Sequence, residues 1–561
     1  MSKSRNKRIS DYMPDSAISV LIMFVVLAVI IAVCGWILWL AKTPFTLHSP
    51  AVWWTICIGL TIAAIVSFNF FDADVNASPF WLILPIGAAI LWVAFIIAGI
   101  TSSNMVNANK WYSKVEKMVT VVEGENGGDC FPDLLGENND TSKLPLVGIP
   151  EALKMAETEM GAKPSLGSRF KLLESQVTTQ NIKNDIFYVV PLEPRSIFTW
   201  DSDTGNEGYF IINRNNRNLV FNEESLFTTE QAPFGDNAKR IIYNYMRKNN
   251  IGGRITDISP EVNDDGEFFF IATVYDTIGI NGFNEVTGIV ELNAKTKKCE
   301  FYDLDNIPEY VDRVYPESFF KEYARIYGAY AKGWGNSFIK KIGVIEPTAD
   351  LDVVYIDGVC YYYTGMRNKV LDTAQKNASN GIMMMNSRTG EITYYVIKGI
   401  SEKGAQEAIE GKVRNMQYSA GYPLPLKVGG VESYFMLLRD INNNFAGYAF
   451  VAYGDYQKYG FGETLVDAQT AYMKSLSTHN TTDSLANKEL TTISGTITDI
   501  GSEVVEGTTT YYVKIAEKDC TFVFNSTLDF NIVFAEIGAK IEISYVESEN
   551  NLIPAVKVKI R

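Results

Sequence analysis

Residues Gly381 to Tyr395 read GIMMMNSRTGEITYY, which is an apolar run, a polar turn and a second apolar run. This pattern predicts two short antiparallel strands joined by a tight turn. The same frame recurs at Gly208 to Phe221 (GYFIINRNNRNLVF) and at Gly288 to Tyr302 (GIVELNAKTKKCEFY). Each copy has a glycine, four mostly apolar residues and an asparagine, whereas a fourth copy from Gly447 (GYAFVAYGDY) lacks the asparagine. We interpret the copies as structural repeats rather than as chance similarity.

Each hairpin belongs to a larger unit. An aromatic-rich run precedes it, and such runs favour strands because aromatic and β-branched side chains fit a pleated surface. Apolar residues at helical spacing follow each hairpin and predict a helix. The runs begin at Asp185, Asp265, Asp357 and Glu432, and the helical stripes begin at Ala238, Phe319, Ala405 and Leu465. Residues 183–476 are therefore predicted to form four α+β units, with helices packed on antiparallel sheet.

Three apolar spans dominate the first hundred residues: Ala17 to Ala41, Ala51 to Phe71 and Phe80 to Ile100. Each is about as long as the 20 residues that cross a bilayer, and none contains a charged residue. Residues 1–101 are therefore predicted to be a three-span anchor that contacts the lipid bilayer through residues 17–100. The absence of intramembrane charge indicates an anchor rather than a transporter. Small residues in the spans fit helix packing, which would allow a homo-oligomer through these helices.

The basic residues among positions 3–8 favour a cytoplasmic amino terminus. Three crossings would then place everything after Ile100 outside the cytoplasm. Three lysines between positions 110 and 117 weigh against this orientation, because they lie on the side that it calls outside. The expectation is a multi-pass protein of the cell membrane with an extracytoplasmic body.

The remaining regions are a connector, a linker and a tail. Residues 102–182 are predicted to form a juxtamembrane helical and loop connector, and the polar residues 477–489 a linker. Residues 490–561 contain five short candidate strands with a short helix before the fourth, which predicts a small OB-like barrel. From Lys488 onward there are seven Lys or Arg residues against eleven Asp or Glu residues. This acidic balance argues against nucleic acid as a partner.

The sequence offers no nucleophilic or metal-binding constellation. Its two histidines are His48, in a short loop, and His479, in the linker, so neither is placed for triad catalysis or zinc binding. Six cysteines are scattered singly, which argues against a disulfide framework. A bridge between Cys299 and Cys360 stays open, although both are expected to be buried in strands. No catalytic, cofactor-binding or metal-binding residue is predicted, and the chain is expected not to be an enzyme.

Carboxylates provide the one alternative chemistry. The candidates are Asp264 with Asp265, Asp303 with Asp305, Asp350 with Asp352, and Asp312 beside Arg313. A carboxylate pair could act on a glycosidic bond as acid and base. The preferred interpretation is turn formation, since Asp-Gly occurs where a strand begins. The Asp-x-Asp pairs lack the rest of a calcium-binding loop.

Residues Gln176 to Leu476 contain QNIKNDIFYVVPLEP, EYVDRVYPESFF, CYYYTGM, MMNSRTGEITYY and YFMLLRD. With these motifs the chain resembles an uncharacterised family of membrane-anchored bacterial proteins with relatives in phages. The resemblance implies hydrophobic N-terminal spans, a large body and the barrel-like tail. The hairpin-and-helix unit also resembles the PepSY type, a regulatory or inhibitory module of membrane-associated and protease-linked proteins. Neither resemblance implies catalytic residues.

The expected function is that of a membrane-anchored, non-enzymatic envelope protein that binds or scaffolds other proteins through its extracytoplasmic repeats. Two alternatives remain. One is an envelope hydrolase that depends on paired carboxylates, and the other is a phage-encoded membrane or virion component.

Overall fold

The computed structural model of the chain describes residues 15–40, 46–70, 83–134, 144–280, 282–348, 351–369, 377–476, 490–505, 508–547 and 551–561. The predicted linker at 477–489 and the basic residues at positions 3–8 lie outside these ranges. Within them the body is mostly sheet, with four sheets of four to six strands, a two-stranded ladder and a closed barrel of five strands. Helices lie against the sheets, so the predicted α+β class fits in part.

The four larger sheets follow one another along the chain, and their strands pair mainly antiparallel. The first sheet contains Phe170–Leu172, Thr178–Ile182, Asp185–Pro194, Asn206–Asn213 and Leu219–Leu226. The second contains Arg254–Val262, Phe268–Thr277, Asn284–Asn293 and Cys299–Asp303. The third contains Val119–Val122, Ile345–Pro347, Asp352–Ile356, Val359–Asn368, Gly381–Asn386 and Ile392–Tyr395. The fourth contains Ser419–Ala420, Leu424–Val428, Val431–Arg439, Phe445–Ala452 and Tyr459–Gly462, and the ladder contains Ala378–Ser379 and Gly399–Ile400.

The sheets form a stack in which the helix after each sheet also packs against the next one. The helix Ala238–Lys248 lies in the core shared by the first and second sheets. The helix Glu317–Tyr330 lies in the core of the second and third sheets. The helix Glu402–Lys412 lies in the core of the third and fourth. Successive units thus share a core, as in repeat proteins, while residues of the first sheet and its hairpin turn also contact the third and fourth sheets.

Burial of both sheet faces explains the long aromatic runs. In the strand Phe268–Thr277, Phe269 and Ile271 pack in the core shared with the third sheet. Phe268 and Phe270 point to the opposite face and pack in the core shared with the first sheet. Because successive strand residues face opposite sides, a strand in an inner layer must be apolar on both.

The two ends of the stack are covered by other elements. The helix Ile149–Ala162, followed by the short helix Leu166–Arg169, covers the outer face of the first sheet. The helix Leu465–Leu476 packs on the fourth sheet, and Val556 of the barrel joins the same core. Terminal caps of this kind keep the outermost repeats from exposing an apolar face.

Residues of the predicted connector take part in several layers. The helix Asn104–Glu116 buries Trp111 and Val115 between the second and third sheets. The strand Val119–Val122 pairs in parallel with Ile392–Tyr395 at the edge of the third sheet. After the 3-10 turn Gly124–Cys130, the chain enters the core of the fourth sheet.

The repeated asparagine shapes the hairpin turn. The Asn293 side-chain oxygen accepts hydrogen bonds from the backbone N–H groups of Lys295 (3.1 Å) and Thr296 (2.8 Å). Asn213 and Asn386 make the equivalent pairs of bonds. This Asx-type turn explains why the spacing recurs. In the fourth copy, which lacks the asparagine, Asp455 accepts from the N–H of Gln457 at 3.0 Å and the hairpin still forms.

The repeated glycine permits close approach of the paired strand. A Cβ atom at Gly381 would lie 2.2 Å from the carbonyl oxygen of Tyr395, and one at Gly288 would lie 2.2 Å from that of Tyr302. Gly208 and Gly447 have the same kind of contact, at 2.0 Å and 2.4 Å. No side chain fits at such distances, so the hairpin frame must begin with glycine.

The C-terminal barrel consists of Thr491–Val505, Thr508–Ile515, Lys518–Asn525, Lys540–Tyr545 and Leu552–Ile560. The first three strands are sequential neighbours, and the fifth pairs with both the third and the fourth. The short helix expected before the fourth strand is a 3-10 helix, Phe530–Phe534. The five predicted strands are thus present and close into one barrel.

The prediction of three membrane-spanning helices, and of a multi-pass protein, is wrong. The N-terminal region contains the helices Asp15–Leu40, Pro50–Phe70 and Ile83–Thr101. Among the described residues, Ile83–Thr101 alone is long and apolar enough to cross a membrane, by length and composition. The described apolar stretches of the other two, Leu27–Leu40 and Pro50–Val66, are shorter than the about 20 residues that a bilayer requires.

Candidate functional site

The apolar helix Ile83–Thr101 is joined directly to the core of the body. The buried Ser102 hydroxyl donates a hydrogen bond to the Ile280 carbonyl oxygen (2.9 Å) and accepts one from the Ile280 N–H (3.2 Å). The next helix, Asn104–Glu116, stacks Trp111 on Phe283 with ring centroids 5.5 Å apart. No flexible linker therefore separates the apolar helix from the sheets.

A polar junction holds the second and third sheets together around residues 307–315. The Arg388 guanidinium, at the tip of the hairpin in the third sheet, donates to the carbonyl oxygens of this segment. Its acceptors are Ile307 (2.8 Å), Pro308 (2.9 Å), Glu309 (3.3 Å) and Val311 (2.6 Å). The neighbouring Ser387 hydroxyl donates to the Asp312 carbonyl oxygen at 2.6 Å. The turn of the defining hairpin is thus a clamp on the preceding unit.

Two buried carboxyl groups belong to this junction. Asp312 accepts hydrogen bonds from the Asn181 N–H (2.7 Å) and the Tyr355 hydroxyl (3.1 Å), and burial raises its pKa to about 6. Glu261 accepts from the N–H groups of Asp312 (3.1 Å) and Arg313 (3.3 Å). Burial raises the pKa of Glu261 well above its usual range. These groups link the first three sheets. Asp312, one of the carboxylates that the sequence offered for catalysis, thus has a structural role here.

A polar cleft of about 420 Å³ opens beside this junction. One wall is the strand Arg254–Val262, and the other groups include Lys239, Arg313 and Glu317. Asp257 lies at a bulge in this strand with a φ of 50°. Such a conformation costs a non-glycine residue about 1 kcal/mol or more and is often found beside functional sites.

The cleft contains two carboxyl groups that hold their protons more tightly than usual. Burial raises the pKa of Asp257, although the Arg313 charge opposes the shift. Burial also raises the pKa of Glu317, with Arg313 opposing and Asp257 adding to the shift. Within the described structure, Arg313 Nε and Gln176 Oε1 are buried without a hydrogen-bond partner. The cleft therefore offers donors, acceptors and both charges to a polar ligand.

Where the structure describes them, the other carboxylate candidates serve turns or lie in a separate pocket. Asp303 accepts hydrogen bonds from the N–H of Asp305 (3.2 Å) and from the Asn306 amide (2.7 Å), so it caps its own turn. Asp264 and Asp265 lie in the turn that ends at Gly266. Asp350 lies outside the described residues. Asp352 lines a separate pocket of about 260 Å³ that also contains Arg214 and Arg439.

The structure describes one of the two histidines and all six cysteines. His48 is exposed, and its Nδ1 lies 2.9 Å from the Gly279 carbonyl oxygen. His479 lies outside the described residues. All six cysteines are free, including Cys299 and Cys360, so the bridge that the sequence left open is not formed. Among the described residues, no group of three His, Cys, Asp or Glu side chains is arranged to hold a metal ion.

The barrel carries an exposed apolar surface, which we call the barrel patch. It consists of Phe530, Val533, Phe534 and Ile537. The patch is held in place because Ile532 is buried in the barrel and Asp529 caps the 3-10 helix through the Asn531 N–H at 2.9 Å. Several large apolar side chains exposed together on a rigid turn are typical of an interaction surface.

Comparisons with known proteins identify no family. No protein-family model and no curated protein matches the chain. A solved structure of an ACO/RPE65 chimera matches with 8% identity and a TM-score of 0.12, over 49% of this chain and 47% of the chimera, so the chain spans about half of its length. The polysaccharide lyase Uly1 matches with 10% identity and a TM-score of 0.17, over 66% and 74% of the two chains. An α-L-arabinofuranosidase from Lactobacillus brevis matches with 13% identity and a TM-score of 0.15, over 61% and 84%. Likenesses at these TM-scores carry no argument.

Sequence reasoning did not identify the cleft residues Asp257 and Glu317. They are sixty positions apart, and the stacking of the sheets brings them to one cleft. The bulge at Asp257 has no glycine or proline at that position to signal it. The barrel patch was detectable in principle, because FNIVFAEIG places apolar residues outside any strand.

Proposed function

We propose that this chain is a membrane-associated, non-enzymatic protein that holds its stack of sheets close to a lipid bilayer and binds other proteins. The observation that carries the proposal is the junction at Ser102, where the apolar helix Ile83–Thr101 continues into a helix buried between two sheets. A helix of that length and composition is suited to a bilayer. An attachment through buried contacts is suited to holding a body in one orientation.

The barrel patch is the proposed partner-binding surface. Its exposed phenylalanines and aliphatic residues would bury well against a protein, since aromatic anchors dominate protein interfaces. The acidic balance of the tail, seven basic against eleven acidic residues, disfavours nucleic acid as the occupant. The proposed side of the membrane is extracytoplasmic, as the sequence led us to expect. Lys110, Lys114 and Lys117, which follow the one membrane-length helix, weigh against this side, so the protease test below decides it.

The test of partner binding is photo-crosslinking in living cells. A photoreactive amino acid at Phe534 is expected to form adducts with one or a few discrete proteins, and a combined Phe530→Ser and Val533→Ser change is expected to abolish them. The matched control is the same label at Val466, which is as exposed as Phe534 but lies on the fourth unit. Adducts of equal yield at both positions, or none at Phe534, would refute the barrel patch as the binding surface. Protease digestion of the body in intact, wall-stripped cells tests its side of the membrane, and digestion only after lysis would place it in the cytoplasm.

A second candidate function is hydrolysis at the polar cleft. The favouring observation is that two carboxyl groups with raised pKa values, Asp257 and Glu317, share the cleft with Arg313. One of them could remain protonated as an acid while the other accepts a proton, as in carboxylate-dependent glycosidases. Under this hypothesis Asp257→Asn and Glu317→Gln each abolish activity on an envelope polysaccharide, while Asp303→Asn does not. Equal activity of all three variants would exclude the cleft as a catalytic site.

A further inference from the structure

Residues 331–343 read AKGWGNSFIKKIG and expose large apolar side chains beside lysines. Phe338 is 48% exposed, Ile339 71% and Ile342 55%. Trp334 packs edge-on against Phe338 with ring centroids 4.5 Å apart. Soluble surfaces normally scatter such residues singly, so three within five positions require an explanation.

These exposed side chains are held in a fixed arrangement. The segment begins with the short helix Gly333–Asn336. The Asn336 amide donates to the Ile342 carbonyl oxygen (3.0 Å), and its side-chain oxygen accepts from the Ile342 N–H (3.2 Å). The Lys341 N–H bonds to the Asn336 carbonyl oxygen at 2.7 Å. The apolar tip is therefore a closed loop that presents the same residues outward.

The segment begins beside the helix Asn104–Glu116, which follows the apolar helix directly. The helix Glu317–Tyr330 runs antiparallel to Asn104–Glu116, because Tyr327 stacks on Tyr112 while Gly333 lies beside Asn109 (a Cβ at Gly333 would be 3.3 Å from Asn109 Oδ1). Gly333 is thus closer than Tyr327 to the start of the helix Asn104–Glu116. Residues 334–342 form the turn beyond this point, and the chain has returned at Gly343, where a Cβ would lie 3.7 Å from Lys332 Nζ.

We propose that residues 332–342, the juxtamembrane loop, bind the surface of the bilayer into which Ile83–Thr101 inserts. Phe338, Ile339 and Ile342 enter the boundary between headgroups and acyl chains, where Trp334 also fits. Lys332, Lys340 and Lys341 contact anionic headgroups. This inference rests on the proposed membrane association and adds a second contact with a stated lipid chemistry.

The lipid surface is a better occupant than a protein because of position and charge together. Each lysine near an anionic surface strengthens binding by about fivefold, and three of them surround the apolar tip. A loop that begins beside Asn104–Glu116, the helix that directly follows the membrane-length helix, is carried to the lipid surface without a separate encounter. Contact with a second copy of the chain or with another protein is a separate outcome of the experiment below.

The experiment uses the full chain in liposomes with a photoreactive p-benzoylphenylalanine at one of three positions. Phe338 tests the loop. Ile90, which is 62% exposed on the apolar helix, tests membrane insertion itself. Ile441, which is 77% exposed, is the control. Ile441 precedes Phe445, on which Arg217 of the first sheet's hairpin turn stacks. The loop in which Phe234 contacts Trp39 of an apolar helix lies at the opposite end of that sheet, so Ile441 is far from the apolar helices.

The expected result is a lipid adduct at Phe338 with a yield about tenfold above that at Ile441, and greater with phosphatidylglycerol than with phosphatidylcholine alone. Combined Lys332→Gln, Lys340→Gln and Lys341→Gln changes are expected to remove the phosphatidylglycerol dependence. A lipid adduct at Ile90 with a control-level yield at Phe338, or a predominant protein adduct there, overturns this inference alone. Control-level yields at both Ile90 and Phe338 overturn the proposed membrane association. A yield at Phe338 that ignores lipid charge and the lysine changes overturns the assignment of the lysines.

Discussion

Replacement of Arg388 by alanine tests whether the hairpin turn clamps the preceding unit. The guanidinium donates to four carbonyl oxygens at 2.6–3.3 Å. Its Nη1 atom has two hydrogens for three of these acceptors, so about three full bonds are made at once. A hydrogen bond from a charged donor contributes about 1.5–3 kcal/mol, but this junction is only partly buried and water can replace part of the loss. We expect Arg388→Ala to lower the free energy of unfolding by about 3 kcal/mol.

The assay is denaturant-induced unfolding of the full chain in detergent, followed by tryptophan fluorescence. Arg388→Lys keeps the positive charge but lacks the planar guanidinium with its several donors. Its free energy of unfolding should therefore fall by roughly half as much as that of Arg388→Ala. The adjacent Thr389→Ala is the control, because its exposed hydroxyl makes only long contacts within the turn: it donates to Glu391 Oε2 at 3.4 Å and accepts from the Glu391 N–H at 3.3 Å. A loss below about 0.5 kcal/mol for Arg388→Ala, or equal losses for alanine and lysine, would refute the clamp and its dependence on the guanidinium shape.

Three further outcomes are expected in the same assay. Gly381→Ala should destabilise the chain by about 2–4 kcal/mol, because the new methyl group would lie 2.2 Å from the Tyr395 carbonyl oxygen. The control is Gly411→Ala, in a helix with no atom within 4 Å of the added methyl group, which should stabilise the chain by about 0.5–1 kcal/mol. The reverse order of stabilities would contradict the close-approach argument. Asn293→Ala should lower the free energy of unfolding by about 1 kcal/mol, because it removes the acceptor for two turn N–H groups. Asn293→Asp keeps an acceptor oxygen and should retain most of the parent stability. Burial raises the pKa of Asp312 from 3.8 to about 6, so ionisation of this group makes the folded state less stable as pH rises between these values. Asp312→Asn should therefore match the stability of the parent below pH 4 and exceed it by about 1–3 kcal/mol at pH 7.5. An equal or lower stability of the variant at pH 7.5 would show that the folded protein compensates the ionised carboxylate.

The parts of the fold that sequence could predict are those set by neighbouring residues. The Gly-to-Asn frame predicts a hairpin because both residues make their contacts inside that hairpin. The Asn386 side chain accepts a hydrogen bond from the following turn, and Gly381 lies against the backbone of the paired strand. Helical stripes such as that from Ala238 depend on spacing alone and mark the observed helix Ala238–Lys248. The barrel strands were recognisable for the same reason.

Contacts between distant segments were beyond sequence reasoning. Nothing near Arg388 indicates that its guanidinium reaches residues 307–311, and nothing near Asp257 indicates that Glu317 faces the same cleft. In both cases the missing information was a three-dimensional arrangement rather than a residue type. The membrane-span prediction failed on length, because two of the three described apolar stretches are shorter than a bilayer requires.

The position of the attachment within the stack connects these observations. The helix Asn104–Glu116 packs its buried face in the core of the second and third sheets, whereas Val556 of the barrel joins the core of the fourth. Each helix is shared by successive sheets, and Arg388 fixes the third unit to the second, so the barrel has a defined direction from the apolar helix. A protein that only needed tethering would be served by a flexible chain. Burying Ser102 and Trp111 instead fixes the orientation of the sheets relative to the apolar helix Ile83–Thr101, and under the proposed function this also fixes the direction in which the barrel patch is presented.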